Sequence, residues 1–169
     1  MTDKTYVISG FSGVGKSSAA NFEDVVDFES SSFSHIPGGN VNINFPNNYV
    51  SALEFEMKTH PEKIFLISCH QEVRDELKKR GIDYMIVMPY RDIRNEYMKR
   101  WLRRGSPQSF IKKMFDMWDK MIDSCEKDPA PKIYIDKNEY LRDVLPTEMK
   151  KLKKLFKKVL TSGIFCAII

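Results

Sequence analysis

Short, largely apolar runs recur along the chain, and most are separated by stretches with helical spacing. Tyr6-Val7-Ile8-Ser9, Val25-Val26-Asp27, Ile64-Phe65-Leu66-Ile67-Ser68, Tyr84-Met85-Ile86-Val87-Met88 and Ile133-Tyr134-Ile135 read as five strands. Several are continuously apolar rather than alternating, as strands covered on both faces are. Val73 and Leu77 lie four residues apart among charged positions, and Gly81 stands where a helix over 71–80 would stop. From 91 to 125 the pattern is helical with a break at Gly105-Ser106-Pro107, and a final helix follows the fifth strand. This alternation predicts an α/β fold, a five-stranded parallel sheet with helices on both faces.

The first strand runs into Gly10-Phe11-Ser12-Gly13-Val14-Gly15-Lys16-Ser17, which matches G-x-x-x-x-G-K-[ST] between a strand and a helix. Glycines let successive backbone N–H groups turn toward an anion, and the following helix adds its partial positive charge. The motif predicts a nucleoside triphosphate site, with Gly10, Ser12, Gly13, Val14, Gly15, Lys16, Ser17 and Ser18 around the phosphates. Lys16 would bridge the terminal phosphates, and the Ser17 hydroxyl would ligate Mg²⁺.

Ligands of an open α/β sheet gather outside the carboxyl ends of its strands. Asp27 and Glu29 follow the second strand, where a carboxylate can reach the Mg²⁺ shell or take a proton from an attacking hydroxyl; Asp27 can equally cap the segment after it. The third strand ends in Ser68-Cys69-His70, with His70 readable as a base or as a helix N-terminal residue. The long polar stretch from Ser30 to Tyr49 is the natural acceptor region, with Ser30, His35, Asn48 and Tyr49 as its polar candidates, and an insertion of about 30–58 is expected there. Segment 91–113 carries Arg91, Arg94, Lys99, Arg100, Arg103, Arg104, Lys112 and Lys113 against Asp92 and Glu96. Beside a phosphate loop this predicts an arginine-rich lid, with Arg100 and Arg104 over the transferring phosphoryl group; alternatively it is a solvated face or a nucleic-acid patch.

Composition narrows the setting. The 169 residues are 42% hydrophobic and 30% charged, which fits one folded domain over 1–169 rather than a disordered chain. No apolar run reaches the length of a membrane helix, and MTDKTYVISG has no signal-peptide pattern, so a cytoplasmic setting is expected. Cys69, Cys125 and Cys166 are too widely spaced to suggest a zinc site or disulfide framework and read as reduced thiols. The net charge of +4 admits an anionic partner. Part of it gathers at 147–169, where lysines alternate with Leu152, Leu155, Phe156 and Val159 before Cys166-Ala167-Ile168-Ile169, which fits C-a-a-X. That end reads as a packed helix and tail or as a lipidated, polybasic anchor.

Taken together, the phosphate loop, the carboxylate after strand two, the arginine-rich helix and Asp136-Lys137-Asn138 resemble the nucleoside monophosphate kinase group over about residues 4–145. VVDFESSSF, NINFPNNY, ISCHQEVRDELKKRGIDYMIVMPY and EYMKRWLRRG are similar to small P-loop kinases often encoded by phages and prophages, which would place the protein in a bacterial host. The resemblance implies ATP as donor, Mg²⁺, a mobile lid, Arg100 and then Arg104 on the phosphates, and Asn138 in a loop against the adenine. Two departures concern the acceptor. Ser68-Cys69-His70 replaces the D-G-x-P-R type sequence of adenylate kinases, and Asp27-x-Glu29 resembles the D-x-D of shikimate kinase. The expected activity is phosphoryl transfer from ATP, first to a (deoxy)nucleoside monophosphate and alternatively to a hydroxyl of a metabolite or a modified base. Catalysis would rest on Lys16, Asp27, Arg100 and Arg104. The non-catalytic alternative is a nucleotide-dependent module that contacts DNA through its basic segments.

Overall fold

The structure, a computed structural model, describes residues 5–146. The expectations for 147–169, including the lysine-rich helix and the C-a-a-X end, lie outside the described residues.

Five parallel strands form the sheet: β1 (Tyr6–Gly10), β2 (Val25–Phe28), β3 (Ile64–Ser68), β4 (Met85–Pro89) and β5 (Lys132–Ile135), in the order β2-β3-β1-β4-β5. β3 is buried along its whole length, as its unbroken apolar run requires. From β1 the chain runs to β2 on one side, returns to β3 beside β1, then crosses to β4 on the other side. The crevice at this reversal lies beyond the carboxyl end of β1, where such sheets bind ligands.

Helices complete the three layers. Among the described residues they include α1 (Lys16–Ala19), α2 (Ser31–Ser34), α3 (Asn47–Thr59), α4 (Gln71–Lys79), α5 (Arg94–Arg103), α6 (Gln108–Asp116) and α7 (Trp118–Glu126), with a 3₁₀ turn at Arg91–Ile93 before α5, and 141–146 are helical after β5 as expected. The expected break holds between α5 and α6, and Met117 adds a second between α6 and α7. Helix α4 buries Val73 and Leu77, the pair that predicted it. Against β1 and β4, Phe11, Tyr97, Trp101 and Trp118 meet edge-on or tilted, with centroids 5.4–6.2 Å apart. This aromatic wedge locks α5 and α7 to the sheet.

The polar stretch after β2 is more ordered than its composition suggests. It forms α2, a reversal with His35 bridged to Val41, and the start of α3. Phe28, Phe33 and Phe45 gather around Tyr49 at 5.3–6.0 Å, so aromatic residues scattered through a polar sequence make a satellite core. Among the described residues no helix is long and apolar enough to cross a membrane.

Candidate functional site

The phosphate loop leaves β1 at the centre of the sheet and is braced from outside. Gly13 and Gly15 have φ of +94° and +93°, a conformation that favours glycine. Both are also closely approached: a Cβ on Gly13 would stand 3.0 Å from Trp101 Nε1, and one on Gly15 3.0 Å from Tyr140 Cδ1. Trp101 Nε1 donates to the Ser12 carbonyl at 3.3 Å, and the Leu141 amide to the Val14 carbonyl at 2.8 Å. The loop's curl is therefore held by α5 and by the segment after β5. Lys16 opens α1 and its Nζ folds back to the Gly10 carbonyl, 3.2 Å away.

Two polar side chains meet beside the loop. The Ser17 hydroxyl donates to Asp27 Oδ2 at 2.8 Å, bringing the phosphate-loop helix to the end of β2. Asp27 Oδ1 is buried and has no hydrogen-bond partner among the described residues. A buried carboxylate oxygen left unpaired is costly, and beside the Ser17 hydroxyl it forms a hard oxygen donor set of the kind Mg²⁺ takes.

A cavity of about 400 Å³ opens over the loop, lined by Gly13, Lys16, Ser17 and Ser18 on one side and by Glu29, Arg103 and Arg104 on others, with Arg100 and Tyr140 in its wall. Glu29 thus lines the same space as Lys16. Arg104 Nη2 lies 3.4 Å from Ser12 Oγ while its Nε donates to Ser106 Oγ at 2.6 Å, leaving an exposed guanidinium at the rim.

Arg100 holds a different post from the expected one. It is only 5% exposed and is sandwiched between the rings of Tyr97 and Tyr140, 4.6 and 4.1 Å from their centroids. It donates to the carbonyls of Gly13, Asp136, Lys137 and Glu139 at 2.7–3.4 Å. A planar fork with several fixed donors suits this task. Arg100 therefore clamps the phosphate loop to the loop after β5, the loop in which Asn138 is exposed. The helix expected to swing as a lid is anchored by Tyr97, Arg100 and Trp101, all buried, while Arg103 and Arg104 lie exposed at its end.

Packing occupies several of the expected acceptor residues. Tyr49 is fully buried and donates its hydroxyl to the Phe28 carbonyl, so it packs inside the aromatic cluster and does not line the cavity. Asn48 donates to the Phe33 carbonyl at 3.0 Å and accepts the Tyr49 amide at 2.8 Å, tying α2 to α3. Ser30 is buried at the start of α2, whereas His35 is exposed, its Nδ1 2.9 Å from Ser34 Oγ. Segment 91–113 is not a free basic face either. Arg91 is ringed by Asp119, Asp123 and Glu126, Arg94 binds the Phe115 carbonyl and ring, Lys99 pairs with Glu96, and Lys112 with Asp116.

Tyr140 and Trp101, which pack against the loop glycines, are not marked by any motif in the sequence. The available signal was the presence of bulky aromatic residues where loop glycines need a neighbour, but neither residue is near the loop in sequence.

No family model matches the chain, and no curated protein matches it. Among solved structures, the tunicamycin resistance protein of Deinococcus radiodurans is similar over 88% of this chain and 95% of its own, with a TM-score of 0.60 and 15% identity. At that identity the likeness is one of fold, and the fold here is a five-stranded parallel sheet with flanking helices in three layers.

Proposed function

We propose that the chain is an ATP-dependent phosphotransferase that moves the γ-phosphoryl group onto a hydroxyl of a small molecule. The observation that supports this most strongly is the shared cavity, in which Glu29 faces Lys16 and Ser17 of the phosphate loop. Loop amides and Lys16 hold the triphosphate. Ser17 and Asp27 would hold Mg²⁺, which would supply charge neutralisation at the phosphates. Glu29, two residues beyond Asp27 and exposed to the cavity, accepts the proton of the attacking hydroxyl. Arg103 and Arg104 stabilise charge on the migrating group from the rim. The segment from α2 to α3 forms the acceptor wall around its aromatic cluster.

A hydroxyl fits better than a phosphate because the cleft end of β2 carries two carboxylates. Arg74 on α4 is committed to Asp128, and Arg80, which follows that helix, to Glu54 and Glu76. A dianionic acceptor placed beside Asp27 and Glu29 would be repelled. One observation favours the nucleoside monophosphate reading: Arg103 and Arg104 line the same cavity and offer guanidinium groups to an acceptor phosphate.

A panel separates the two. The full chain is incubated with γ-labelled ATP, Mg²⁺ and, separately, nucleosides, sugars, polyols and nucleoside monophosphates. Tunicamycin is included because the structural neighbour is named for resistance to it. Label on a hydroxyl acceptor supports the first reading; nucleoside diphosphate formed from monophosphates alone supports the second. Glu29→Gln should lower kcat about 100-fold with the KM for ATP unchanged, because general-base catalysis contributes roughly that much. An unchanged kcat would remove Glu29 from the chemistry.

A further inference from the structure

Cys69 and Cys125 stand 56 positions apart in sequence, yet their sulfurs lie 3.4 Å from each other. Cys69 is the first residue after β3, whose last residue Ser68 is in register with Gly10 at the head of the phosphate loop. Cys125 is in the last turn of α7 and is 1% exposed. Arg74 of α4 stitches the two sides together, donating to the Ser124 carbonyl at 3.1 Å and hydroxyl at 2.6 Å. Both sulfurs thus sit on braced elements, and closing from contact to a bonded pair needs a movement of little more than about 1 Å.

We propose that Cys69 and Cys125 form a redox modification site, in which a peroxide oxidises Cys69 and Cys125 resolves it as an intramolecular disulfide. This goes beyond the phosphotransfer reading and does not depend on it. The Cys69 thiolate attacks the peroxide O–O bond, giving the sulfenic acid with loss of hydroxide. The Cys125 sulfur then displaces hydroxide from that sulfenic sulfur and releases its proton. Two thiols and one hydrogen peroxide thereby become one disulfide and two waters.

The order of attack follows from access and environment. Cys69 is partly exposed and Cys125 is not. The Cys125 thiol hydrogen-bonds to Cys69 and, with help from the Ser9 hydroxyl and the charges of Arg74 and Lys16, holds the Cys69 thiol below its usual range despite burial. The same hydrogen bond and burial hold Cys125 above its usual range. The more ionised, more accessible sulfur reacts first.

The test uses the full chain carrying Cys166→Ser, so that only this pair remains. Treatment with hydrogen peroxide, alkylation of residual thiols and peptide mass spectrometry should show a Cys69–Cys125 link, a loss of two hydrogen masses and full reversal by dithiothreitol. In the same background, Cys125→Ala should accumulate sulfenic acid at Cys69, trapped by dimedone, whereas Cys69→Ala should leave Cys125 at least tenfold slower to oxidise. Two thiols still open to alkylation after peroxide, or oxidation of Cys69 to sulfinic acid with no link, would overturn the assignment. These readouts need no turnover, so they stand apart from any failure of the kinase assay.

Discussion

Arg100 and Arg104 stand one turn apart on the same helix and meet the same phosphate loop, but they do different work. Arg100 spends its donors on four backbone carbonyls, and Arg104 keeps an exposed guanidinium at the cavity rim. Arg100→Ala should therefore cost stability, about 1–3 kcal/mol for carbonyls left unpaired in a partly buried site, as measured by urea denaturation. Arg100→Lys should rescue little, because one ammonium cannot span the fork. Arg104→Ala should leave the urea midpoint nearly unchanged and, under the proposed phosphotransfer in which its charge would act on the migrating group, lower kcat/KM by tenfold or more. Equal stability losses at the two positions would contradict this division. The spacing of arginines made a cationic helix legible in the sequence. It could not show which guanidinium was buried, because that depends on carbonyls from residues 13 and 136–139, distant in the chain. The same limit hid Tyr49, whose polar neighbours in sequence point to a cleft while its spatial neighbours are Phe28, Phe33 and Phe45.

Between elements, Asp128 is the joint that binds α4 to the end of α7. Its carboxylate takes Arg74 at 2.6 Å and Lys78 at 3.4 Å, and the Tyr84 hydroxyl donates to both of its oxygens at 2.9 Å. Burial works against ionisation of this side chain, but the Ala130 amide, the Tyr84 hydroxyl and Arg74 outweigh it and hold the carboxyl below its ordinary range. A depressed folded-state value means that the stabilisation is complete above the unfolded pKa of about 3.9. It is lost as pH falls through the still lower folded value. Asp128→Ala should destabilise the protein by about 3–5 kcal/mol at neutral pH, since it strands the buried Arg74 charge. In thermal melts at pH 2–5, Asp128→Asn should flatten the acid loss of stability, and an unchanged acid limb would contradict the assignment. This joint was invisible in the sequence, where Arg74 and Asp128 belong to different elements. The elements themselves were legible: β3 matches its predicted span, and the spacing of Val73 and Leu77 placed α4. Physical patterning fixes the faces of an element, whereas partners across elements depend on topology.

For the molecule as a whole, the strand order brings the phosphate loop, Asp27 and Glu29 to one end of the sheet. The cations of 91–113 that looked like a continuous surface are largely consumed by acids and carbonyls, and Arg103 and Arg104 stand with Lys16 at the cavity. The glycines that make this possible leave no room for variation. Gly15→Ala combines a strained φ with a Cβ only 3.0 Å from the Tyr140 ring, and it should abolish MgATP binding in calorimetry even where the protein still folds. The measurement that bears most directly on the account is ³¹P NMR of the full chain with ATP, Mg²⁺ and the acceptor panel, run beside Lys16→Ala. The account predicts ADP and a new phosphomonoester signal with a hydroxyl acceptor, both lost in the variant. Conversion of monophosphates to diphosphates with no phosphomonoester, or a wild-type spectrum matching that of Lys16→Ala, would contradict it.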